Sequence, residues 1–174
     1  MNKKILDVLA FDQVKQLVGQ YLVTAQGKEE LAQLAPSADA QQISTWLAET
    51  EDALKVQRLR GGIPVPKIEN IRPQMKRIEI GADLNGLELA QVGRVLVTAN
   101  ELKRFFEDLS DSEIEFERLY EWEKQLVTLP TLSRRLKEAV DEDGRLTDEA
   151  SPELRVIRQN IRRSERTIRE TLDS

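Results

Sequence analysis

Apolar and small residues recur every three or four positions along most of this chain, which is the spacing of amphipathic helices that pack on one another. The breaks between these stretches coincide with Gly, Pro and residues suited to capping a helix. The pattern predicts helices over residues 13–22, 25–35, 40–60, 71–78, 87–109, 114–128, 131–140 and 152–172, after a short helix or turn at 4–10. It therefore indicates an all-α, multi-helical core with at most a small β-turn or hairpin near 140–148.

Several of these helices are predicted to begin at a side chain that can accept hydrogen bonds from the free N–H groups of the first turn. Asp12, Thr24 and Ser151 are the expected N-caps of three helices, and Ser37 or Asp39 of a fourth. The helix at 40–60 is expected to bury a face formed by Ile43, Trp46, Leu47, Thr50, Leu54 and Leu59. The helix at 87–109 is expected to bury Leu89, Val92, Leu96, Ala99, Leu102, Phe106 and Leu109.

The terminal helix at 152–172 is the best-defined candidate for a functional element. Pro152 suits its first position, because the missing N–H would be unpaired there, and Glu153 faces the positive end of the helix dipole. A narrow packing seam is formed by Leu154, Ile157, Ile161, Ser164, Ile168 and Leu172. The opposite face carries Arg155, Arg158, Arg162, Arg163, Arg166 and Arg169. Since neither Gly nor a breaker follows Leu172, we expect the helix to be cut in mid-course.

This organisation predicts two domains. Residues 1–150 would form a helical core domain, and residues 151–174 the truncated start of a long projecting helix. The only natural boundary lies near residues 148–151, where the predicted body ends.

Composition excludes the commonest routes to catalysis. The chain has no His and no Cys, so Cys/His zinc sites, Ser-His-Asp or Cys-His nucleophiles and disulfides are ruled out. The net charge of −5 argues against a generally basic nucleic-acid binder. No apolar run is long enough to cross a bilayer and no signal peptide is evident, so a soluble cytoplasmic protein without membrane contact is expected. We predict no catalytic, cofactor-binding or metal-binding residue in this chain.

Three local patterns suggest other chemistry, and each has a simpler interpretation. The Gly-Gly-Ile-Pro-Val-Pro run at 61–66 lacks the Lys-Ser/Thr ending of a phosphate loop, and its prolines remove backbone donors. The acidic turn at 141–144 places its Gly too early for an EF-hand. The eight acidic residues between 107 and 123 are interpreted as a solvated face rather than a site for a basic partner.

The arginines of the terminal helix leave alternatives open. They could contact phosphates of DNA or RNA, or they could serve as a solubilising face that includes a favourable pair between Glu165 and Arg169. The sequence is therefore compatible with a free-standing nucleic-acid-binding helical protein. It is also compatible with a structural adaptor that dimerises through the seam. The isolated chain is expected to be a monomer, or a weak dimer formed through the terminal helix.

The order of landmarks along the chain resembles the N-terminal region of the MutS family, in the bacterial paralogue class called MutS-two. The early landmarks are Phe11-Asp12 with Leu17, the run at 24–29 followed by Leu34 and Pro36, and Gly61-Gly62-Ile63-Pro64 leading to Ile68 and Ile71-Arg72-Pro73. The later ones are Gly81 with Leu84, Glu88 and Leu89, and the runs at 141–144 and 150–154. The resemblance covers essentially the whole chain.

The resemblance implies a function for a longer protein. This region would be the helical core and first lever, which carry signals between a C-terminal ATPase and a clamp that closes around nucleic acid. The full-length protein would be a homodimer that binds ATP and Mg²⁺, with a C-terminal Smr-type endonuclease domain. It would act on branched DNA to suppress homologous recombination, or on collided ribosomes through rRNA. None of the ATPase or nuclease motifs lies within residues 1–174.

Overall fold

The computed structural model describes residues 8–111 and 114–172, and the regular structure in these ranges is helical. The helices are α1 (Phe11–Gly19), α2 (Ala25–Gln33), α3 (Ala40–Arg60), α4 (Arg72–Glu79), α5 (Gly86–Ser110), α6 (Leu119–Gln125), α7 (Pro130–Ala139) and α8 (Pro152–Leu172). The one β contact within the described ranges is an isolated antiparallel bridge between Val140 and Leu146. The predictions of an all-α fold and of a small hairpin near 140–148 are confirmed.

Three of the predicted caps are present. Thr24 Oγ1 accepts a hydrogen bond of 3.0 Å from the N–H of Gly27, and Ser151 Oγ accepts one of 3.1 Å from the N–H of Leu154. Of the two alternatives for α3, Asp39 is the cap, since its carboxylate accepts from the N–H groups of residues 41 and 42. Local sequence therefore determines where α2, α3 and α8 begin.

Two predictions near the N-terminus need correction or fall outside the described ranges. Asp12 is not a cap, because α1 begins one residue earlier, after Ala10 in a left-handed conformation (φ 51°). Asp12 instead lies in the first turn, where a carboxylate is stabilised by the helix dipole. The same helix ends at Gly19, before Tyr21 and Leu22, which the apolar spacing predicts as its continuation. Most of the helix or turn expected at 4–10 lies outside the described residues.

By its contacts the chain divides into two compact units. The first comprises Met1–Asn70 and Thr98–Thr128, and the second comprises Ile71–Val97 and Leu129–Ser174. Helix α5 contributes its N-terminal half to the second unit and its C-terminal half to the first. The predicted boundary at residue 151 stays a prediction.

The first unit has a small apolar core. It consists of Val56 from α3, Phe106 and Leu109 from the C-terminal half of α5, and Phe116 from the segment before α6. Phe116 also packs edge-on against Tyr120, with ring centroids 5.5 Å apart. On the expected inward face of α5, Val92, Phe106 and Leu109 are buried, which confirms that part of the prediction. The other residues of that face are partly buried.

The predicted inward face of α3 is wrong. Leu47 is 65% exposed, and the rest of its apolar members, Ile43, Trp46, Leu54 and Leu59, are each more than a third exposed. The residues of α3 that are buried are Asp52 and Val56. The physical reason is that α3 packs with α6 and its preceding segment through the side occupied by Asp52 and Val56. The helix predicted over 114–128 is also shorter than expected, because α6 covers only Leu119–Gln125.

The second unit is held by a close crossing of two backbones. In the hairpin turn, Gly144 adopts a left-handed φ of 80°, and a Cβ built on it would lie 2.4 Å from the backbone nitrogen of Leu87. A Cβ built on Gly86 would lie 2.0 Å from the carbonyl oxygen of Gly144. Two glycines are therefore needed where the turn contacts the start of α5. That start is fixed by a reciprocal capping box, in which Asn85 and Glu88 each accept the other's backbone N–H through a side-chain oxygen.

Candidate functional site

Helix α8 carries both the predicted apolar seam and the predicted arginines. Its first turn is stabilised by the residues at its start. The Ser151 hydroxyl accepts from the N–H of Leu154, and Pro152 occupies the position where no N–H is needed. The backbone N–H of Glu153 and the Ser151 hydroxyl hold the pKa of the Glu153 carboxyl below its ordinary value. The helix then continues without a break to Leu172.

The packing seam of α8 is uncovered. Leu154 is partly buried, while Ile157, Ile161 and Ile168 are each more than half exposed and Leu172 is 80% exposed. None of the residues described in α8 is buried. Side chains of Ile and Leu each stabilise packing by roughly 1.5–3 kcal/mol when buried, so this seam is a surface suited to a partner helix.

Three arginines of α8 pair with Asp148 and Glu149, which lie in the turn directly before the helix. Arg158 Nη1 lies 2.8 Å from one carboxylate oxygen of Asp148, and Arg162 binds the other oxygen. Arg155 forms an ion pair with Glu149. Hydrogen bonds from Arg158 and Arg162 hold the pKa of the Asp148 carboxyl below its ordinary value. Half of the predicted arginine face is thus partly neutralised within the chain.

The remaining arginines, Arg163, Arg166 and Arg169, form no ion pair with the residues that the structure describes. The pair expected between Glu165 and Arg169 is likewise not formed within those residues. With six Arg and three Glu, the helix as a whole remains basic. Its C-terminal half is therefore the part with arginines available to an external anion.

The arginines form a broad stripe that spreads from the border of the seam to the opposite face of α8. At about 100° per residue, Arg158, Arg169 and Arg162 lie roughly a quarter to a third of a turn from the centre of the seam, whereas Arg163 and Arg166 lie nearly opposite it. A helix that packed on the seam would consequently have arginines along one border.

Sequence reasoning missed Asp52, which is the centre of a buried polar cluster in the first unit. Its carboxylate accepts from the backbone N–H groups of Arg118 (2.7 Å), Leu119 (3.0 Å) and Glu117 (3.3 Å). Lys55 Nζ lies 3.4 Å away and also donates to the carbonyl of Glu115. Asp52 is 1% exposed, so this carboxylate caps α6 from inside the fold.

The charge state of Asp52 follows from this arrangement. Burial by itself would raise the pKa of its carboxyl, but the three backbone donors and Lys55 outweigh burial and hold the pKa below its ordinary value.

No pattern in the sequence marks Asp52, because it lies among other polar residues on a long helix. The cap of α5 at Asn85 was also missed, although the Asn-x-x-Glu spacing is a recognisable signal.

The other motifs have structural roles. Gly61, at φ 79°, ends α3 by donating its N–H to the carbonyl of Gln57, so the Gly-rich run is a helix stop. In the acidic turn, the Asp141 carboxylate accepts from the N–H groups of residues 143 and 145 and closes the turn itself. Within the described ranges no group of three or more acidic side chains is placed to hold a metal ion.

The acidic residues between 107 and 123 lie at the surface where the structure describes them, except Glu123, which is partly buried and pairs with Lys103. Arg118 pairs with Glu121 at 2.8 Å. Glu113 lies outside the described residues. No helix in the described part of the chain is long and apolar enough to cross a membrane.

The chain is similar over its whole length to bacterial proteins named Endonuclease MutS2. It is 66% identical to that of Enterococcus faecalis over 174 residues, which are 100% of this chain and 22% of the relative. It is 49% identical to that of Levilactobacillus brevis over 173 residues and 47% identical to that of Latilactobacillus sakei over 174, again 22% of each relative. The chain therefore spans about a fifth of the length of the curated relatives it matches. No family model matches the chain.

Proposed function

Because this chain matches MutS2 proteins over its whole length, we propose that it forms the non-catalytic core and first lever segment of a MutS-type, ATP-dependent nucleic-acid clamp protein. The ATP and Mg²⁺ sites and the endonuclease activity would belong to the four fifths of the relatives' length that this chain does not span. The full-length protein would act as a homodimer.

The observation that carries this proposal is the state of α8. It is a capped helix of 21 residues with an uncovered apolar seam and a basic stripe beside it. A lever has to transmit displacement along its length, and a continuous α-helix about 30 Å long provides a stiff element for that purpose. Its seam would be covered by a second helix of the full-length protein.

The proposed biological role is the suppression of homologous recombination through branched DNA, the rescue of collided ribosomes through rRNA, or both. Both substrates present phosphates, which suit the arginines of α8. The two roles are separated by binding experiments with the full-length protein on a four-way DNA junction and on purified collided disomes. A protein that bound neither would contradict the proposed role.

The lever assignment is tested in the full-length protein by replacing Ile157 and Ile161 together with Glu. We expect nucleic-acid stimulation of ATP hydrolysis to be lost, because the seam can no longer pack, while basal hydrolysis stays the same. Val156→Glu is the matched control, since Val156 is 54% exposed on the same helix but lies off the seam. Stimulation that survives in the double variant would overturn the assignment.

A second candidate function is direct nucleic-acid binding by α8 in the isolated chain. It is favoured by Arg163, Arg166 and Arg169, which have no ion pair within the described ranges. Replacing these three by Glu should abolish binding to duplex DNA or RNA, whereas replacing Arg155, Arg158 and Arg162 should weaken it less. Binding that is absent at low salt in the wild-type chain would exclude this function.

A further inference from the structure

We propose that a small cavity between α3 and α6 binds one bulky apolar side chain from a basic segment of a separate partner protein. The cavity, called the α3–α6 cavity here, has a volume of about 180 Å³ and lies within the first unit. Its apolar lining is formed by Ala53 of α3, Ile63 of the Gly-rich run, and Leu119 and Trp122 of α6. Ala53 and Trp122 are exposed, so the cavity is open to solvent.

The size of the cavity suits a single side chain. Sites for drug-sized molecules have volumes of about 300–1,000 Å³, whereas a cavity of about 150 Å³ holds a benzene ring. A volume of about 180 Å³ therefore fits the ring of a Phe or the side chain of a Leu. The lining is partly preformed, because Ile63 and Leu119 also pack against the apolar core of the first unit. The hydrogen bonds from residues 117–119 to Asp52 hold α6 against α3 and keep the two walls in place.

Arg118, which also lines the cavity, carries a buried donor without an acceptor. Its Nη1 pairs with Glu121 at 2.8 Å, but its Nε is buried and has no hydrogen-bond partner among the described residues. A buried N–H that has lost water without gaining an acceptor is unfavourable. A backbone carbonyl of the bound segment would supply that acceptor. Trp and Arg are also the residue types that most often dominate binding at protein interfaces.

The surroundings of the cavity are acidic, which determines the charge of the partner. Residues 49–53 and 114–123, which flank the cavity, contain seven acidic residues and one basic residue. Asp52 is satisfied by its backbone donors and Lys55. Glu49 lines the cavity and forms no ion pair with the residues that the structure describes. A Lys or Arg next to the apolar side chain of the partner would therefore pair with Glu49.

This combination of a small apolar centre and an acidic border favours a separate protein as the partner. Permanent interfaces are mainly apolar, whereas contacts between proteins that associate and dissociate keep polar groups around a small apolar centre. Complementary charge also speeds the association of a basic partner. The acidic stretch at 107–123 thus serves as more than a solvated face, because the cavity gives a partner an apolar anchoring point that the sequence pattern does not show.

The first test titrates the full-length protein with labelled pentapeptides and follows fluorescence anisotropy. The probes are Lys-Lys-Phe-Lys-Lys, its versions with Leu or Ala at the centre, and Glu-Glu-Phe-Glu-Glu. We expect the Phe and Leu peptides to bind about tenfold or more tightly than the Ala peptide, because only they bury a large apolar side chain. The acidic peptide should not bind. Equal binding of the Phe, Leu and Ala peptides, or no saturable binding of the Phe and Leu peptides, would overturn the proposal.

Two matched pairs of variants locate the binding at the cavity. Ala53→Leu fills the cavity and should weaken binding of the Phe peptide by about tenfold, whereas Ala40→Leu, exposed on the same helix but outside the cavity, should leave it unchanged. Glu49→Gln should weaken binding and reduce its dependence on salt more than Glu51→Gln, which makes the same charge change outside the cavity. Equal effects within either pair would show that the cavity is not the site.

The separate origin of the partner is tested by comparing the full-length protein with the 174-residue chain. We expect both to bind the Phe peptide with equal affinity, because the cavity is open in both. If the 174-residue chain bound the peptide and the full-length protein did not, the rest of the protein would cover the cavity. That result would overturn the assignment of the cavity to a separate partner.

Discussion

The Asp52 carboxylate joins α3 to a segment that follows it by 65 to 67 positions in sequence. Backbone N–H groups at the start of a helix have no partner within the helix and are usually satisfied by a nearby cap. Here Arg118, the residue before α6, provides no side-chain cap, and Asp52 supplies the acceptor from another helix. A single side chain thus fixes where α6 begins and how it packs on α3.

We predict that Asp52→Asn lowers the free energy of unfolding by roughly 1.5–3 kcal/mol. The carboxylate accepts through both of its oxygens, whereas Asn has one neutral acceptor oxygen and an NH2 group that cannot accept, so some of the N–H groups of residues 117–119 lose their partner. Urea denaturation monitored by circular dichroism measures the change. Asp39→Asn is the matched control: Asp39 caps α3 at the surface, where Asn caps equally well, so its effect should be close to zero. Equal effects of the two substitutions would contradict the role of Asp52.

The stability supplied by Asp52 should depend on pH. The folded chain holds the pKa of this carboxyl below its unfolded value of about 3.9, so its contribution is present above that value and is lost as pH falls through the folded pKa. The difference in unfolding free energy between the wild type and Asp52→Asn should stay constant from neutral pH to about pH 5 and shrink below about pH 4. If this difference in unfolding free energy grew on acidification, folding would raise the pKa of the Asp52 carboxyl and not lower it, which would contradict the prediction.

Single residues also show what local sequence can and cannot reveal. The caps at Thr24, Asp39 and Ser151 follow from residue type and position, because a cap and its helix are neighbours in the chain. The capping box of Asn85 and Glu88 could have been found in the same way. Asp52 could not, because its burial depends on N–H donors from a distant segment that no local pattern specifies.

At the scale of elements, the spacing of apolar residues located the helices but not always their buried side. For α5 the expected face is the buried or partly buried one, because Val92, Phe106 and Leu109 belong to a single apolar stripe. For α3 the richest apolar face is exposed, and the helix packs through Asp52 and Val56. Periodicity records which side is apolar, whereas burial also requires another segment to cover it. The exposed side of α3 includes Trp46, which lines an apolar groove together with residues of α1 and α2.

The crossing of the hairpin turn over the start of α5 gives a prediction for that element. Gly144→Ala should destabilise the second unit by more than the roughly 1–2 kcal/mol that a left-handed backbone costs an Ala, because the new Cβ would overlap the backbone of Leu87. Gly81→Ala is the matched control, with a similar φ of 75° and no atom within 4 Å of the added carbon. Thermal unfolding compares the two. A smaller loss for Gly144→Ala than for Gly81→Ala would contradict the close crossing.

At the scale of the whole molecule, charge is unevenly distributed. The residues of the first unit sum to −6 and those of the second to +1, with 14 basic and 13 acidic residues in the second. The chain therefore contains a basic helix, α8, although its overall charge is −5. The sequence located the seam and arginines of α8, but not the pairing of Arg158 and Arg162 with Asp148, which joins residues 10 and 14 positions apart. That pairing determines how many arginines of α8 remain available to bind the phosphates of a nucleic acid.

The Asp148 pairing gives a prediction for nucleic-acid binding by α8. Asp148→Asn should release Arg158 and Arg162, tighten binding to duplex DNA and steepen its salt dependence, by about 0.9 in the slope of log K against log salt for each additional phosphate that the helix neutralises. Fluorescence anisotropy at several salt concentrations measures the slope. Glu142→Gln, which removes one charge at an exposed position of the neighbouring acidic turn at 141–144, should leave the slope nearly unchanged. If both variants steepened it equally, net charge and not the freed arginines would be the cause.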